Sequence, residues 1–217
     1  MKAELRVIDE HEQTIHVKIK NTDLKFAAEP SIFSPHYIDS GTLAMLSAVE
    51  FLPSDKALDL GCGYGVVGIL AAKLIGEENV VMCDISERAV EYAKINAAMN
   101  DVPNIKIRLS DGYENIAESD FTLILSNPPY HADFSVPKKF IEVGFKKLAL
   151  GGKMIMVTKR LDWYKNKLTS VFGGVRIQEI EGYYVFTAEK RSQIIKKKEK
   201  PAQSMSKKLR RKQSMKR

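Results

Sequence analysis

From residue 56 to residue 171 the sequence alternates short apolar runs with stretches of helical periodicity, and that alternation leaves few architectures open. The runs 56–60, 79–84, 105–109, 121–126 and 152–158 read as buried strands. Between them, 66–74 has the apolar density of a buried helix, and 86–99 opens on a capping Ser86. In that second helix Ala89, Val90, Ala93, Ile95 and Ala97 are expected on or near one face. Two more helices are expected over 136–148, stopping at Gly151-Gly152, and over 162–171, before Gly173-Gly174. Strands joined through helices must run parallel, because a crossover connection returns the chain to the edge it started from. The runs 175–180 and 183–188 are separated only by Glu181-Gly182, a turn that makes them antiparallel. The expected fold is α/β: a Rossmann-like, doubly wound, mostly parallel sheet with an antiparallel C-terminal strand pair. Ahead of it, 14–20 alternates apolar and polar residues like a strand with one wet face.

Two loops of this scaffold carry chemistry. Asp59-Leu-Gly61-Cys62-Gly63-Tyr-Gly65 lies between a strand and a helix, where the lack of Cβ atoms lets backbone N–H groups approach a ligand. Gly63, Gly65 and Gly68 also fit the dinucleotide fingerprint G-x-G-x-x-G. Asp59 decides against that reading. A carboxylate two positions before the first glycine can receive the ammonium of a methionine moiety, whereas a pyrophosphate gains nothing from it. Asp84, ending the next strand, can accept hydrogen bonds from both ribose hydroxyls, with Ile85 beside it. Asp111 is a candidate partner for an adenine amino group, and Gly112 leaves space for a ring; the same dipeptide also suits a plain turn.

The second loop is Asn127-Pro128-Pro129-Tyr130, delivered by the apolar run 121–126. The Asn127 side-chain oxygen and the Pro128 carbonyl can accept both hydrogens of a planar NH2 group and aim its lone pair. Pro129 stiffens the turn, and Tyr130 can stack on a base. A methionine-bearing cofactor facing an amine pocket implies methyl transfer to nitrogen.

Charge suggests the acceptor. Twelve of the 34 Lys and Arg residues fall in 191–217 against one acid, Glu199, which leaves 22 basic and 26 acidic residues in 1–190. The basicity belongs to a tail without apolar periodicity, expected to be disordered in isolation and to attract phosphates. No apolar run approaches the roughly 20 residues a bilayer span needs, and the start lacks a signal-peptide pattern, so a cytoplasmic protein is expected. Cys62 and Cys83 are expected as reduced, buried thiols. With His11, His16, His36 and His131 they show no metal-ligand spacing, so no metal is expected.

On these residues the chain resembles the class I S-adenosylmethionine-dependent methyltransferases, with motif I at 59–65, the ribose acid at Asp84 and motif IV at 127–130. The segment from Phe33 to Thr42 resembles the methyltransferase small domain branch, which includes ribosomal RNA small-subunit methyltransferase C guanine-N2 enzymes. The resemblance covers about 30–190. It implies S-adenosyl-L-methionine as cofactor, the segment 33–42 followed by a helix over 43–51 as helping to close its site, and an exocyclic base amine of RNA, guanine N2 of ribosomal RNA foremost, as acceptor. A target amine must then be unpaired or flipped out of its stack. Asn-Pro-Pro-Tyr also occurs in enzymes that modify DNA adenine or a protein glutamine. A protein glutamine or small-molecule N-methyltransferase and a non-catalytic RNA-binding assembly factor are therefore the alternatives. Long members of the branch carry an additional N-terminal domain, for which about 30 residues leave no space. The expected organisation is an N-terminal strand extension over 1–30, a methyltransferase domain over 31–190 and a basic tail over 191–217.

Overall fold

The structure is a computed structural model and describes residues 4–9, 14–27, 38–128 and 133–193, the first of these as backbone. An N-terminal group of strands, β1 (Glu4–Asp9), β2 (Thr14–Ile19) and β3 (Thr22–Ala27), precedes α1 (Ser40–Ala48). The alternating core follows as β4 (Ala57–Leu60), α2 (Val66–Ile75), β5 (Val80–Asp84), α3 (Glu87–Met99), β6 (Lys106–Leu109), β7 (Phe121–Ser126), α4 (Ser135–Lys147), β8 (Leu148–Thr158) and α5 (Leu161–Phe172). It closes with β9 (Arg176–Ile180) and β10 (Tyr183–Glu189).

The main sheet has the order β6-β5-β4-β7-β8-β10-β9. Its first five strands are parallel, and β10 runs antiparallel to both β8 and β9. Strand alternation divides the core into two layers. On β4, Leu58 and Leu60 face the layer containing Phe140, Ile141, Phe145 and Leu168 of α4 and α5. Ala57 faces the layer of α1, α2 and α3, with Met45, Ile69, Leu70, Ala93 and Ala97. Asp59 projects to the same side as Ala57, which is why a carboxylate ends up 3 % exposed under α2. The sheet order reverses between β4 and β7, so the loops after these strands diverge to opposite faces and open a crevice at their carboxyl ends.

The expected mixed sheet is present, with three local corrections. The glycine pair 151–152 does not end α4: β8 begins directly at Leu148, and the pair lies inside it. A Cβ on Gly152 would stand 2.7 Å from the Phe121 carbonyl oxygen, so the pair lets the start of β8 lie close against β7. In α3 the face runs through Ala89, Val90, Ala93, Asn96 and Ala97, whereas Ile95 is 42 % exposed; the chain buries an amide in place of an aliphatic. The helix expected over 43–51 begins earlier, because the Asp39 side chain caps it by accepting from the Thr42 backbone N–H at 2.8 Å.

The N-terminal segment forms three antiparallel strands where one was expected. Of the two strands missed, β1 and β3, the latter alternates Leu24 and Phe26 with charged residues. A two-residue turn at Lys20 and Asn21, both with positive φ, joins it to β2 in the manner of a type I′ hairpin. Its outer edge is occupied by two amides, one within α3 and one on its C-cap residue. Asn100 exchanges bonds with the Lys25 backbone (N–H at 3.0 Å, carbonyl at 2.7 Å), and Asn96 does so with Ala27 (2.7 and 3.0 Å). At i, i+4 spacing the two side chains stand in for a neighbouring strand.

Candidate cofactor and amine site

The first loop of the crevice is shaped by glycines in conformations other residues avoid. Gly61, Gly63 and Gly65 all have positive φ (76°, 55° and 104°), and Gly65 is the N-cap residue of α2. The N–H groups of Gly61 and Cys62 both donate to the Cys83 carbonyl at 2.9 Å, fastening the loop to the end of β5. Gly68 serves packing: a Cβ there would lie 2.5 Å from Met82 Cγ, so α2 can press onto the sheet only without one. That contact brings the Gly68 N–H to 2.8 Å from Asp59 Oδ2. Burial raises the Asp59 carboxyl from 3.8 to about 7; the Gly68 N–H opposes this shift and the nearby Asp84 carboxylate adds to it.

Asp84 closes the loop from the other side. Its Oδ2 accepts from the Gly63 N–H at 2.9 Å and its Oδ1 from the Ser86 N–H at 3.0 Å, which leaves further lone pairs for hydroxyl donors. Ile85 is 69 % exposed, an apolar side chain held in water directly after that acid. Asp111 lies past the end of β6 with its carboxylate 3.6 Å from the Lys139 ammonium, which also bonds Glu114 at 2.8 Å. Gly112 has a φ of 59°, and a Cβ on it would stand 3.1 Å from Phe140, so the room its hydrogen leaves is taken at least in part by that ring. Cys62 and Cys83 are free and buried, as expected, and burial pushes both thiols up, Cys83 to about 12; neither supplies a thiolate near neutrality.

The second loop meets the first across the sheet reversal. In the register of β4 and β7, Asp59 stands opposite Leu125, and one step further the Ser126 hydroxyl donates to the Leu60 carbonyl at 2.8 Å. Asn127 therefore leaves β7 beside Gly61. Its side-chain orientation is set by chemistry: the amide nitrogen donates to Asp39 Oδ2 at 2.7 Å and to Thr42 Oγ1 at 3.0 Å. An ionised carboxylate can only accept, so the group facing Asp39 must be the NH2, and the Asn127 oxygen is turned away from this pair. Pro128 is buried; Pro129 and Tyr130 lie outside the described residues, as do 28–37 and the tail from 194 on. Asp39 and Thr42 belong to the segment that the resemblance places at the cofactor site, but their bonds to Asn127 are what sequence reasoning missed. A capping Asp three residues before a Thr announces a helix start, not a bond to a residue 88 positions later. A surface groove of about 470 Å³ lies elsewhere, between β2, β3 and the end of α3, and contains no residue of either loop.

Comparison with known proteins places the fold in a family. The family model described as methyltransferase small domain matches residues 23–187. The YbxB protein of Bacillus subtilis (strain 168) is 30 % identical over 189 residues, covering 84 % of this chain and 94 % of its own length. A ribosomal RNA small subunit methyltransferase C of Idiomarina loihiensis is 29 % identical over 182 residues, covering 82 % of this chain and 53 % of its own. Among solved structures, that of the T. thermophilus 16S rRNA N2 G1207 methyltransferase RsmC, in complex with AdoMet and guanosine, superposes with a TM-score of 0.74 at 25 % identity. The match covers 88 % of this chain and 51 % of that one, so the chain spans about half the length of these methyltransferase C relatives.

Proposed function

Because the chain belongs to the methyltransferase small domain family, whose cofactor is S-adenosyl-L-methionine, we propose that it methylates an exocyclic base amine of RNA, namely guanine N2 of ribosomal RNA. The observation that carries this reading is the fixed amide of Asn127. With its NH2 spent on Asp39 and Thr42, the oxygen that remains is an acceptor, placed with the Pro128 carbonyl at the end of β7 beside the glycine loop. Two acceptors suit an NH2 group and offer nothing to a substrate that brings only lone pairs.

The cofactor supplies an electrophilic methyl on a sulfonium sulfur. The chain's own residues bind, orient and exclude water. Gly61, Cys62, Gly63 and Gly65 present backbone where side chains would intrude, Asp59 faces the amino-acid end, Asp84 takes the ribose hydroxyls, and Ile85 covers an adenine face. Asp111 and Gly112 border the adenine edge. Asn127 and Pro128, continued by Pro129 and Tyr130, hold the acceptor amine in line, and alignment with desolvation lowers the barrier without a strong base. The likeness to methyltransferase C relatives and the basic tail over 191–217 favour ribosomal RNA over a protein or small-molecule acceptor.

Radiolabelled cofactor, offered with small ribosomal subunits and their naked RNA, tests the assignment. Label in N2-methylguanosine, identified by mass spectrometry of the nucleosides, is the expected result; label in protein only, or in no RNA, overturns it. A second prediction follows from Asp59. An ammonium is favoured by the ionised carboxylate, so cofactor affinity should rise as pH increases from 5.5 towards about 7, below the range in which an α-ammonium loses its own proton. Asp59→Asn should flatten that profile in calorimetric titrations from pH 5.5 to 8.5. An unchanged profile in the variant would remove Asp59 from the ammonium site.

A further inference from the structure

Trp163, the single tryptophan of the chain, stands in the first turn of α5 with its ring stacked on Phe134. The two centroids are 4.5 Å apart and the planes are inclined by 21°. The Arg160 guanidinium lies 4.9 Å from the Phe134 centroid. Behind this layer Trp163 meets Tyr164 edge-on at 5.1 Å, and Tyr164 stacks on Phe186 at 5.8 Å, both of these buried. The layer is therefore backed by the core and yet open to water: Phe134 is 37 % exposed, Trp163 is half-buried and Arg160 is exposed. Closing a core does not call for this arrangement. Phe134 occupies the N-cap position of α4, where Ser, Thr, Asp or Asn would each supply a hydrogen bond, and its side chain supplies none.

The layer also lies at the right edge of the sheet. β7 and β8 are parallel neighbours with Ser126 opposite Met156, so the loops that follow them rise from the same carboxyl edge as Asn127. Phe134 comes from the first loop, and Lys159 and Arg160 from the second. Lys159 places its ammonium 4.8 Å from the Tyr183 ring. Among the described residues neither Lys159 nor Arg160 pairs with a carboxylate, although Asp133 and Asp162 are exposed nearby; Asp133 caps the Ser135 N–H at 2.7 Å. The basic tail, by contrast, follows a segment at the opposite edge, where Lys190 exchanges backbone bonds with Gly151 and Gly152 at the start of β8.

Resting on the function proposed above, we propose that Phe134, Trp163 and Arg160 form a stacking platform for a nucleobase of single-stranded RNA flanking the target nucleotide, with Lys159 facing its phosphate. Every base offers a π face to an aromatic ring or a guanidinium plane, so the platform holds the strand without reading its sequence. These cations, with no carboxylate partner among the described residues, complement the phosphates that accompany such a base.

Because there is one tryptophan, its emission reports this layer alone. Titrating the full chain with a single-stranded RNA oligonucleotide should quench that emission saturably, whereas heparin, a polyanion without bases, should bind without quenching. Phe134→Leu and Arg160→Gln should weaken binding of a labelled oligonucleotide, the former roughly 5- to 150-fold, as expected for losing one base stack. Calorimetric titration with S-adenosyl-L-methionine should give wild-type affinity for both variants, which shows them folded. RNA binding without quenching, equal quenching by heparin, or wild-type RNA affinity in both variants overturns the platform. An emission shift caused by ribosomal proteins and not by RNA would also overturn it, by making the surface a protein contact. If RNA is methylated without quenching, the platform falls and the proposed activity stands; quenching without methylation of any RNA gives the reverse.

Discussion

Asn127→Ala is expected to lower turnover roughly 10²- to 10³-fold, the effect of removing one fixed hydrogen-bonding group aimed at a reacting centre, while affinity for S-adenosyl-L-methionine stays nearly unchanged. The loss arises because the variant removes the acceptor that orients the amine and leaves the glycine loop untouched. Single-turnover rates with saturating cofactor are the measurement, and a rate equal to wild type would remove Asn127 from the chemistry. The structure adds a finer test. Thr42→Val keeps the shape of the side chain and the capping bond from the Thr42 backbone N–H to Asp39, but removes one of two acceptors holding the Asn127 amide. It should lower kcat by about tenfold, roughly one hydrogen bond's worth, with KM for RNA unchanged, and Thr42→Ser should restore the rate. Asp39→Ala is less informative, since it also uncaps α1 at a cost of about 1 kcal/mol.

Asn96→Ala should have the largest effect on stability, about 2–4 kcal/mol, read as a shift of the urea midpoint. The amide is fully buried; it donates to the carbonyls of Ala27 at 3.0 Å and Tyr64 at 2.9 Å and accepts from the Ala27 N–H at 2.7 Å. Alanine removes a buried hydrogen bond from each of these three backbone groups in a site that water enters poorly. Tyr64 lies inside the glycine loop proposed to hold the cofactor, so the variant should also weaken cofactor binding. Asn100→Ala is the control. Asn100 bonds Lys25 and the Asn96 carbonyl but not the loop, so its loss should loosen the N-terminal sheet with little effect on the cofactor. A wild-type midpoint and a wild-type affinity in Asn96→Ala would show that the sheet and the loop are not joined through this residue.

The two effects show where sequence reasoning reaches and where it stops. Strands and helices of the main sheet are local matters of periodicity, and Ser86 and Gly173 mark helix boundaries by chemistry that works within a few residues. Ile95 was misplaced for an equally clear reason. Apolar character argued for burial, but the face of α3 that meets β3 needs two amides to satisfy the strand's free edge, so the helix turns Asn96 and Asn100 inward. The glycines 151 and 152 look like a helix stop, and only the closeness of the Phe121 carbonyl reveals that they serve a strand.

By itself the sequence determined the mostly parallel sheet, the glycine-rich turn after β4 and the position of Asn127 at the end of β7, because each depends on residues adjacent in the chain and on the short reach of backbone sterics. The tertiary structure alone decided which way the Asn127 amide points, that Asp59 is buried enough to titrate near neutrality, and that Phe134, Arg160 and Trp163 share one layer. Those facts depend on groups from different loops meeting at one edge of the sheet, and hydrogen-bond direction, desolvation and ring stacking have no values until the chain has brought the partners together.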